Sequence, residues 1–354
     1  MNRADFFLAQ LDEDSPVKDY IRELWALSLD KLKSMADDAC KNTYGDEVYL
    51  RGLIEYTNVC RMDCLYCGIR KSNDKVNRYR LDEDSILAAV EEGYGRGFRT
   101  FVLQGGEDPE WPAERLARLV AKIKELCNYE VAVTLSSGLM TKDDYVILRD
   151  AGADRYLMRF ETADSKLHER LRGGISLRRR IQALLDMRDA GFELGSGFMC
   201  GLPGEDDEVM LKNLYLCKLL ELDMIGIGPF IPHPDTPLKD APQLGLERTL
   251  KAEAILRIIL PGANLPATTA AGSLQPDGRE RMLECGANVL MPNLTPVIHK
   301  KDYLLYPGKI CLDEDGFKCV SCLSLRVASV GKKIVWDIGT SKNYKERNGH
   351  VSRT

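Results

Sequence analysis

The sequence is poor in histidine, has no excess of basic charge and carries no long apolar run. Its histidines are His168, His233, His299 and His350, and none stands beside a cysteine cluster. Lysine and arginine number 49 against 54 aspartates and glutamates, a formal net charge of -5. That balance argues against a nucleic-acid binder, which would carry a basic patch or a high pI. No window approaches 18 uninterrupted apolar residues, so no membrane span is expected. The opening "MNRADFFLAQLDEDSPVKDY" lacks a basic stretch followed by an apolar one, so no signal peptide is expected and the chain reads as cytosolic. Nothing in it demands more than a monomer. An odd total of eleven cysteines fits no disulfide framework in such a chain and points instead to metal or redox chemistry.

Apolar residues make up 44% of the 354, enough for a sizeable core. Two helical patterns open the chain, at about 15–29 and 29–41, the first with Ser15 as N-cap and Pro16 in the first helical position. An alternating pattern follows. Strand-like runs fall at 49–56, 100–104, 131–135, 155–160, 193–199, 224–227, 264–267 and 288–291. Helical patterns lie between them at 82–96, 113–126, 142–151, 177–190, 207–220, 246–259 and 279–285. Gly97, Gly152, Gly191 and Gly286 stand where helices should stop. Eight strands alternating with helices predict a (β/α)8 TIM-type barrel. The expected organisation is N-terminal helices over 1–45, the barrel over 46–295 and a loop-rich C-terminal segment over 296–354, ending in a frayed polar tail.

The chemistry is concentrated in "NVCRMDCLYCGIR", where Cys60, Cys64 and Cys67 follow the first strand. Loops after barrel strands form the reactive face. Thiolates are soft ligands for iron–sulfur clusters and zinc. A structural zinc site wants four protein ligands, whereas three thiolates on a four-iron cluster leave one iron open to a substrate or cofactor. From the residues alone, a zinc knuckle with a distant fourth ligand, or three core thiols, also remains open.

The pattern C-x3-C-x-aromatic-C, with Tyr66 as the aromatic, resembles the hallmark of radical S-adenosylmethionine (SAM) enzymes. "LQGGEDP" after the second strand resembles their Gly-Gly-Glu element, with Gly105, Gly106 and Glu107 at the SAM amino group. "MRFET" after the fourth strand puts Glu161 at the ribose hydroxyls or the amino group. In the basic run 178–180, otherwise a solvated face, Arg180 would hold the SAM carboxylate. Met199 of "GSGFMCGLPGE" would pack the adenine side, and "GIGPF" could offer it backbone groups. The longer stretches "GIGPFIPHPDTPL", "PATTAAG", "CGANVLMPN" and "LLYPGKIC", with the SAM motifs, resemble the HydE family of [FeFe]-hydrogenase maturases over about 50–325. Biotin synthase and methylornithine synthase share the SAM motifs more distantly.

The resemblance implies a [4Fe-4S] cluster on Cys60, Cys64 and Cys67, and SAM as cofactor. It also implies reductive cleavage of SAM to a 5′-deoxyadenosyl radical. The substrate implied is a small cysteine-derived, iron carbonyl/cyanide complex attacked at sulfur. Arg159, Thr268, Thr269, Tyr303 and Tyr306 would line its site. A one-electron donor protein and other hydrogenase maturases are the implied partners. The family carries histidine just before Glu161; here it is Phe160, a departure expected to touch packing rather than SAM. "CLDEDGFKCVSC" adds Cys311, Cys319 and Cys322, which some members use for a second iron–sulfur cluster and which could equally hold zinc or stay reduced. The competing readings are another small-molecule radical SAM lyase or mutase, and a non-catalytic iron–sulfur carrier.

Overall fold

The computed structural model describes residues 2–313 and 316–349, without the side chains of Lys318 and Cys319. Its strands are β1 (Glu47–Leu50), β2 (Gly52–Thr57), β3 (Thr100–Gly105), β4 (Ala132–Ser136), β5 (Arg155–Leu157), β6 (Glu193–Ser196), β7 (Met199–Cys200), β8 (Met224–Ile225), β9 (Gly228–Pro229), β10 (Val289–Leu290) and β11 (Lys333–Val335). β2-β3-β4-β5-β6-β8 form one parallel sheet, and β10 pairs with β1, which runs on into β2. Helices separate successive strands, as the sequence predicts for a barrel.

The ring closes through the expected seventh strand, 264–267, without a regular ladder. Ile225 N donates to the Asn264 carbonyl at 2.9 Å, and Asn288 N to that of Leu265 at 2.8 Å. Pro266 has no N–H to give, so single bridges to Met224 and Val289 replace a strand. The fifth strand also breaks earlier than expected. Gly197 turns it at φ +147, and a Cβ there would stand 2.1 Å from the Gly226 carbonyl oxygen. The chain resumes as β7, which pairs with β9 one step above β6 and β8.

Outside the ring the amphipathic helices pack an apolar face on the sheet. In Ala113–Leu126 that face is Leu116, Leu119, Val120 and Ile123. Two of the helices before the sixth strand escape the periodicity reading. Arg3–Asp12 is short and weakly patterned, and it is pinned by Arg178 on Asp5 at 2.5 Å and Arg3 on Asp189 at 2.7 Å. Ser165–Leu171 is only 7 residues long. No helix among the described residues is long and apolar enough to cross a membrane.

The C-terminal segment is not loop-rich as expected. It holds a helix, Gly316–Ser329, then β11 beside β1, then a last helix, Lys342–Gly349. Of the polar tail expected to fray, residues 340–349 are tied down, and 350–354 lie outside the described residues. Ser341 is fully buried, its N–H donating to Glu193 at 2.9 Å, and Arg347 pairs with buried Asp223 at 2.6 Å. The reason is the polar floor of the barrel. Arg155 and Glu193 form an ion pair at 2.6 Å with 0% and 2% side-chain exposure. The carbonyls of Ile338 and Gly339 accept hydrogen bonds from Arg155, Thr100, Arg51 and Asn264. The tail thus supplies the acceptors those buried donors need.

Removing one partner of a buried pair leaves the other charge uncompensated. Glu193→Ala is expected to cost about 3–5 kcal/mol in chemical denaturation.

Candidate active site

At the opposite end of the barrel, the three thiols sit on the loop after β2. Arg78 holds that loop in shape. Its guanidinium donates to the carbonyls of Asn58 (2.7 Å), Ile69 (2.8 Å), Arg70 (2.7 Å) and Asn73 (3.0 Å). The Asn58 side chain donates to the Asn77 and Asp302 carbonyls at 2.8 and 2.7 Å. Cys64 is buried, and Cys60 and Cys67 partly so. Burial pushes all three thiols up, Cys67 most, and they oppose one another's ionisation. On Cys64 the Arg172 guanidinium pulls the other way.

The Gly-Gly-Glu turn lies against this loop. Gly106 N donates to the Thr57 carbonyl at 3.0 Å, Arg61 N to the Glu107 carbonyl at 2.9 Å, and Glu107 N points at Cys60 Sγ at 3.4 Å. A Cβ on Gly106 would stand 2.2 Å from the Val59 carbonyl oxygen and 2.8 Å from Cys60 Cβ. Glycine is therefore a packing requirement here. Asp108 anchors the turn from below, bidentate to Arg80 at 2.6 and 3.0 Å and accepting from Thr57 Oγ1 at 2.8 Å.

The other expected SAM residues gather at the same end. Tyr66, Cys64, Met199 and Phe230 share one small apolar cluster with Leu167, Leu171, Leu202 and Val209. Glu161 is buried and takes φ +68, unusual for a residue with a side chain. Thr162 N and His168 Nδ1 both donate to the Phe160 carbonyl, at 2.9 and 2.7 Å, and hold that turn. Arg159 lies 3.1 Å from Glu161 Oε2 but is not aligned as a hydrogen bond. The basic run divides: Arg178 and Arg179 are exposed, while Arg180 is 1% exposed. Its Nε and Nη2 have no hydrogen-bond partner among the described residues. Phe160 is fully buried and stacks on Phe198 at 5.9 Å, so the departure at this position falls in the packing.

Residues 302–309 fold back over the barrel mouth. Tyr303 is 2% exposed, and its hydroxyl accepts from Gln104 of β3 at 3.3 Å. Lys309 reaches buried Glu55 of β2 at 2.5 Å. Tyr306 is half-buried, with Ser273, Glu55, Arg159 and Arg279 nearby. Thr268 precedes the short helix Thr269–Leu274, and both threonines are half-buried. The second triad is less defined. Cys311 is partly buried, Cys322 is exposed on the helix Gly316–Ser329, and the side chain of Cys319 lies outside the described residues.

The first triad fits a cluster. Among the described residues no three His, Cys, Asp or Glu side chains converge on a single metal ion. A cluster does not ask for that, because each thiolate binds its own iron. Beside the triad, Glu107 Oε1 has no hydrogen-bond donor, and Glu161 Oε2 and Arg172 Nε are buried without hydrogen-bond partners, among the described residues. The sequence reading missed Arg78, Arg80, Arg172, Glu55 and Lys309. They act by reaching across the fold, and no local motif marks them.

The chain matches the family model for the radical SAM superfamily over residues 54–214. It is 44% identical to the [FeFe] hydrogenase maturase subunit HydE of Thermotoga maritima, over 89% of this chain and 90% of that one. It is 30% identical to a 3-methylornithine synthase of Methanosarcina acetivorans, over 74% of each. The crystal structure of methylornithine synthase (PylB) superposes with a TM-score of 0.78 at 25% identity, covering 94% of this chain and 97% of that one. The maturase HydG superposes with a TM-score of 0.78 at 17% identity, a likeness of fold.

Gly106→Ala should displace the cysteine loop. The expectation is a stability loss of about 1–3 kcal/mol, with less iron and sulfide retained per chain after reconstitution. Burial pushes His168 down to about 4, with the charge of Arg172 acting the same way. The unfolded chain protonates near 6.5, so this contribution is present above that pH and fades as pH falls toward 4. His168→Gln should remove that slope, a difference of up to about 3 kcal/mol between denaturation series at pH 7 and pH 4.

Proposed function

We propose, for a chain that belongs to the radical SAM superfamily and within it to the HydE family of [FeFe]-hydrogenase maturases, a radical attack on a small sulfur-containing substrate during cofactor assembly. The substrate is cysteine-derived, an iron carbonyl/cyanide complex by chemical class. The observation that carries this reading is the meeting of the cysteine loop, the Gly-Gly-Glu turn, Tyr66 and Met199 at one end of a closed barrel.

In this reading Cys60, Cys64 and Cys67 hold three irons of a [4Fe-4S] cluster and leave the fourth for SAM. When bound, the cluster supplies the electron that cleaves SAM to a 5′-deoxyadenosyl radical. Glu107 accepts from the SAM ammonium, with Gly105 and Gly106 letting the backbone approach. Arg180 pairs with its carboxylate, Glu161 accepts from the ribose hydroxyls, and Met199 packs the adenine. Arg159, Thr268 and Thr269 orient the substrate. Tyr303 and Tyr306 cover the mouth and keep water from a reactive carbon centre. Cys311, Cys319 and Cys322 carry an accessory iron–sulfur site that the cleavage does not require. A one-electron donor and the sister maturases are the proposed partners of a monomeric chain.

The test is anaerobic. The protein is reconstituted with iron and sulfide, reduced, and its electron paramagnetic resonance spectrum recorded with and without SAM. A four-iron signal perturbed by SAM, with 5′-deoxyadenosine formed, is the expected result. Cys64→Ala should reduce that product to background, and Cys319→Ala should leave it near the parent level. A cluster indifferent to SAM would make the protein an iron–sulfur carrier.

A further inference from the structure

Arg172 follows the helix Ser165–Leu171 directly, as its C-cap residue. The preceding carbonyl, that of Leu171, accepts from Leu65 N of the cysteine loop at 3.0 Å, so the two segments are joined by backbone. The side chain is 11% exposed. Nη1 donates to the Tyr66 hydroxyl at 2.9 Å. Nη2 stands 3.8 Å from Glu107 Oε1, close enough to attract the carboxylate yet beyond hydrogen-bonding distance. Oε1 of Glu107 thus stays free for another donor, while Oε2 accepts from Arg61 Nε at 3.4 Å. Nε of Arg172 is buried with no hydrogen-bond partner among the described residues. Arg61 also approaches Glu107, at 3.4 Å, but its side chain is 56% exposed and solvent screens it. Arg172 acts under no such screening, and its charge also reaches Cys64 and Glu161.

We propose that Arg172 is a positioning residue for SAM: it sets Glu107 and the Tyr66 ring in binding geometry and places a fixed positive charge beside the thiolates. This rests on the radical SAM reading above. Tyr66 packs with Cys64 and Met199, so a guanidinium on its hydroxyl fixes the wall between the cluster ligands and the adenine side. The same guanidinium draws Glu107 toward that wall. A fork that spans both is a task for arginine, since lysine offers one compact ammonium on a flexible stem. Outer partners of this kind typically change affinity or activity about 10–100-fold when removed. A positive charge held near the thiolates also favours the reduced, more negative state of whatever they bind.

The experiment uses the full chain, reconstituted anaerobically, as parent, Arg172→Gln and Arg172→Lys. Four quantities are read: iron and sulfide per chain, the Kd for SAM by equilibrium dialysis, the cluster midpoint potential, and the split between kcat and KM. Arg172→Gln is expected to keep its iron and sulfide, weaken SAM binding about 10–100-fold and move the potential negative. Arg172→Lys should recover the potential and only part of the affinity. A purely structural role would not separate these two readouts. Arg172→Gln with a Kd within about twofold of the parent and an unmoved potential overturns the inference, as does loss of iron matching Cys64→Ala. If the glutamine variant does not fold, Arg172→Lys decides, and parent-like affinity there overturns the inference. A parent protein that takes up a cluster but binds no SAM overturns the functional reading itself, and this inference with it.

Discussion

One guanidinium gathers the cysteine loop. Arg78 donates to four backbone carbonyls spread over Asn58 to Asn73, and the loop has no helix or strand to shape it otherwise. Hydrogen bonds from a charged donor are each worth about 1.5–3 kcal/mol net, so four of them can offset the entropy of ordering a loop. The neighbouring Gly-Gly-Glu turn is held in the same manner, by Arg80 on Asp108. The groups assigned to the cofactor consequently carry little structural duty: the loop and turn are held by Arg78 and Arg80, and Glu107 Oε1 and two buried nitrogens of Arg180 keep their bonding capacity.

The two ends of the barrel answer opposite demands. The floor is polar and largely paired: Arg155, Glu193 and Asn264 bond one another and the returning tail, and Arg51 reaches the Gly339 carbonyl while its Nε stays unpaired among the described residues. The mouth is polar and incompletely satisfied. Arg180, Arg172 and Glu161 all keep buried atoms without hydrogen-bond partners among the described residues. Unpaired buried atoms occur elsewhere in the chain too, but those of Arg172 and Glu161 stand within electrostatic reach of the Cys64 thiol, where a ligand could complete them. The strained turn at Glu161 belongs to the same end, stabilised from outside by His168 and by Asn213, which accepts from Ala163 N at 2.6 Å.

Much of this was legible locally. The period of the helices, the glycines that end them and the alternation with apolar runs suffice for a barrel, because each element's pattern reflects its own buried face. The thiols, Tyr66, Gly106 and Glu107 announce themselves by spacing, since a short loop must place its ligands close together. The seventh strand, the described part of the tail, 340–349, and the C-terminal loops depart from the sequence reading for one reason. Each depends on what the segment meets: Pro266 denies a ladder, and Ser341 and Arg347 find buried partners at Glu193 and Asp223. Phe160 could be assigned to packing from strand alternation alone, and it does pack on Phe198.

By itself, the sequence determined which groups could do chemistry and at which strand ends they stand. The basic run 178–180 did not itself show which member turns inward; the family resemblance named Arg180, and helix burial separates it from Arg178 and Arg179. Nor could the sequence pair Glu55 with Lys309, 254 residues apart, or set Arg172 between Tyr66 and Glu107. Spacing along a chain constrains only what a loop or a helical turn can reach. Contacts across a closed barrel are decided by where the ring brings distant strand ends together, and by which buried charge has no water left to solvate it.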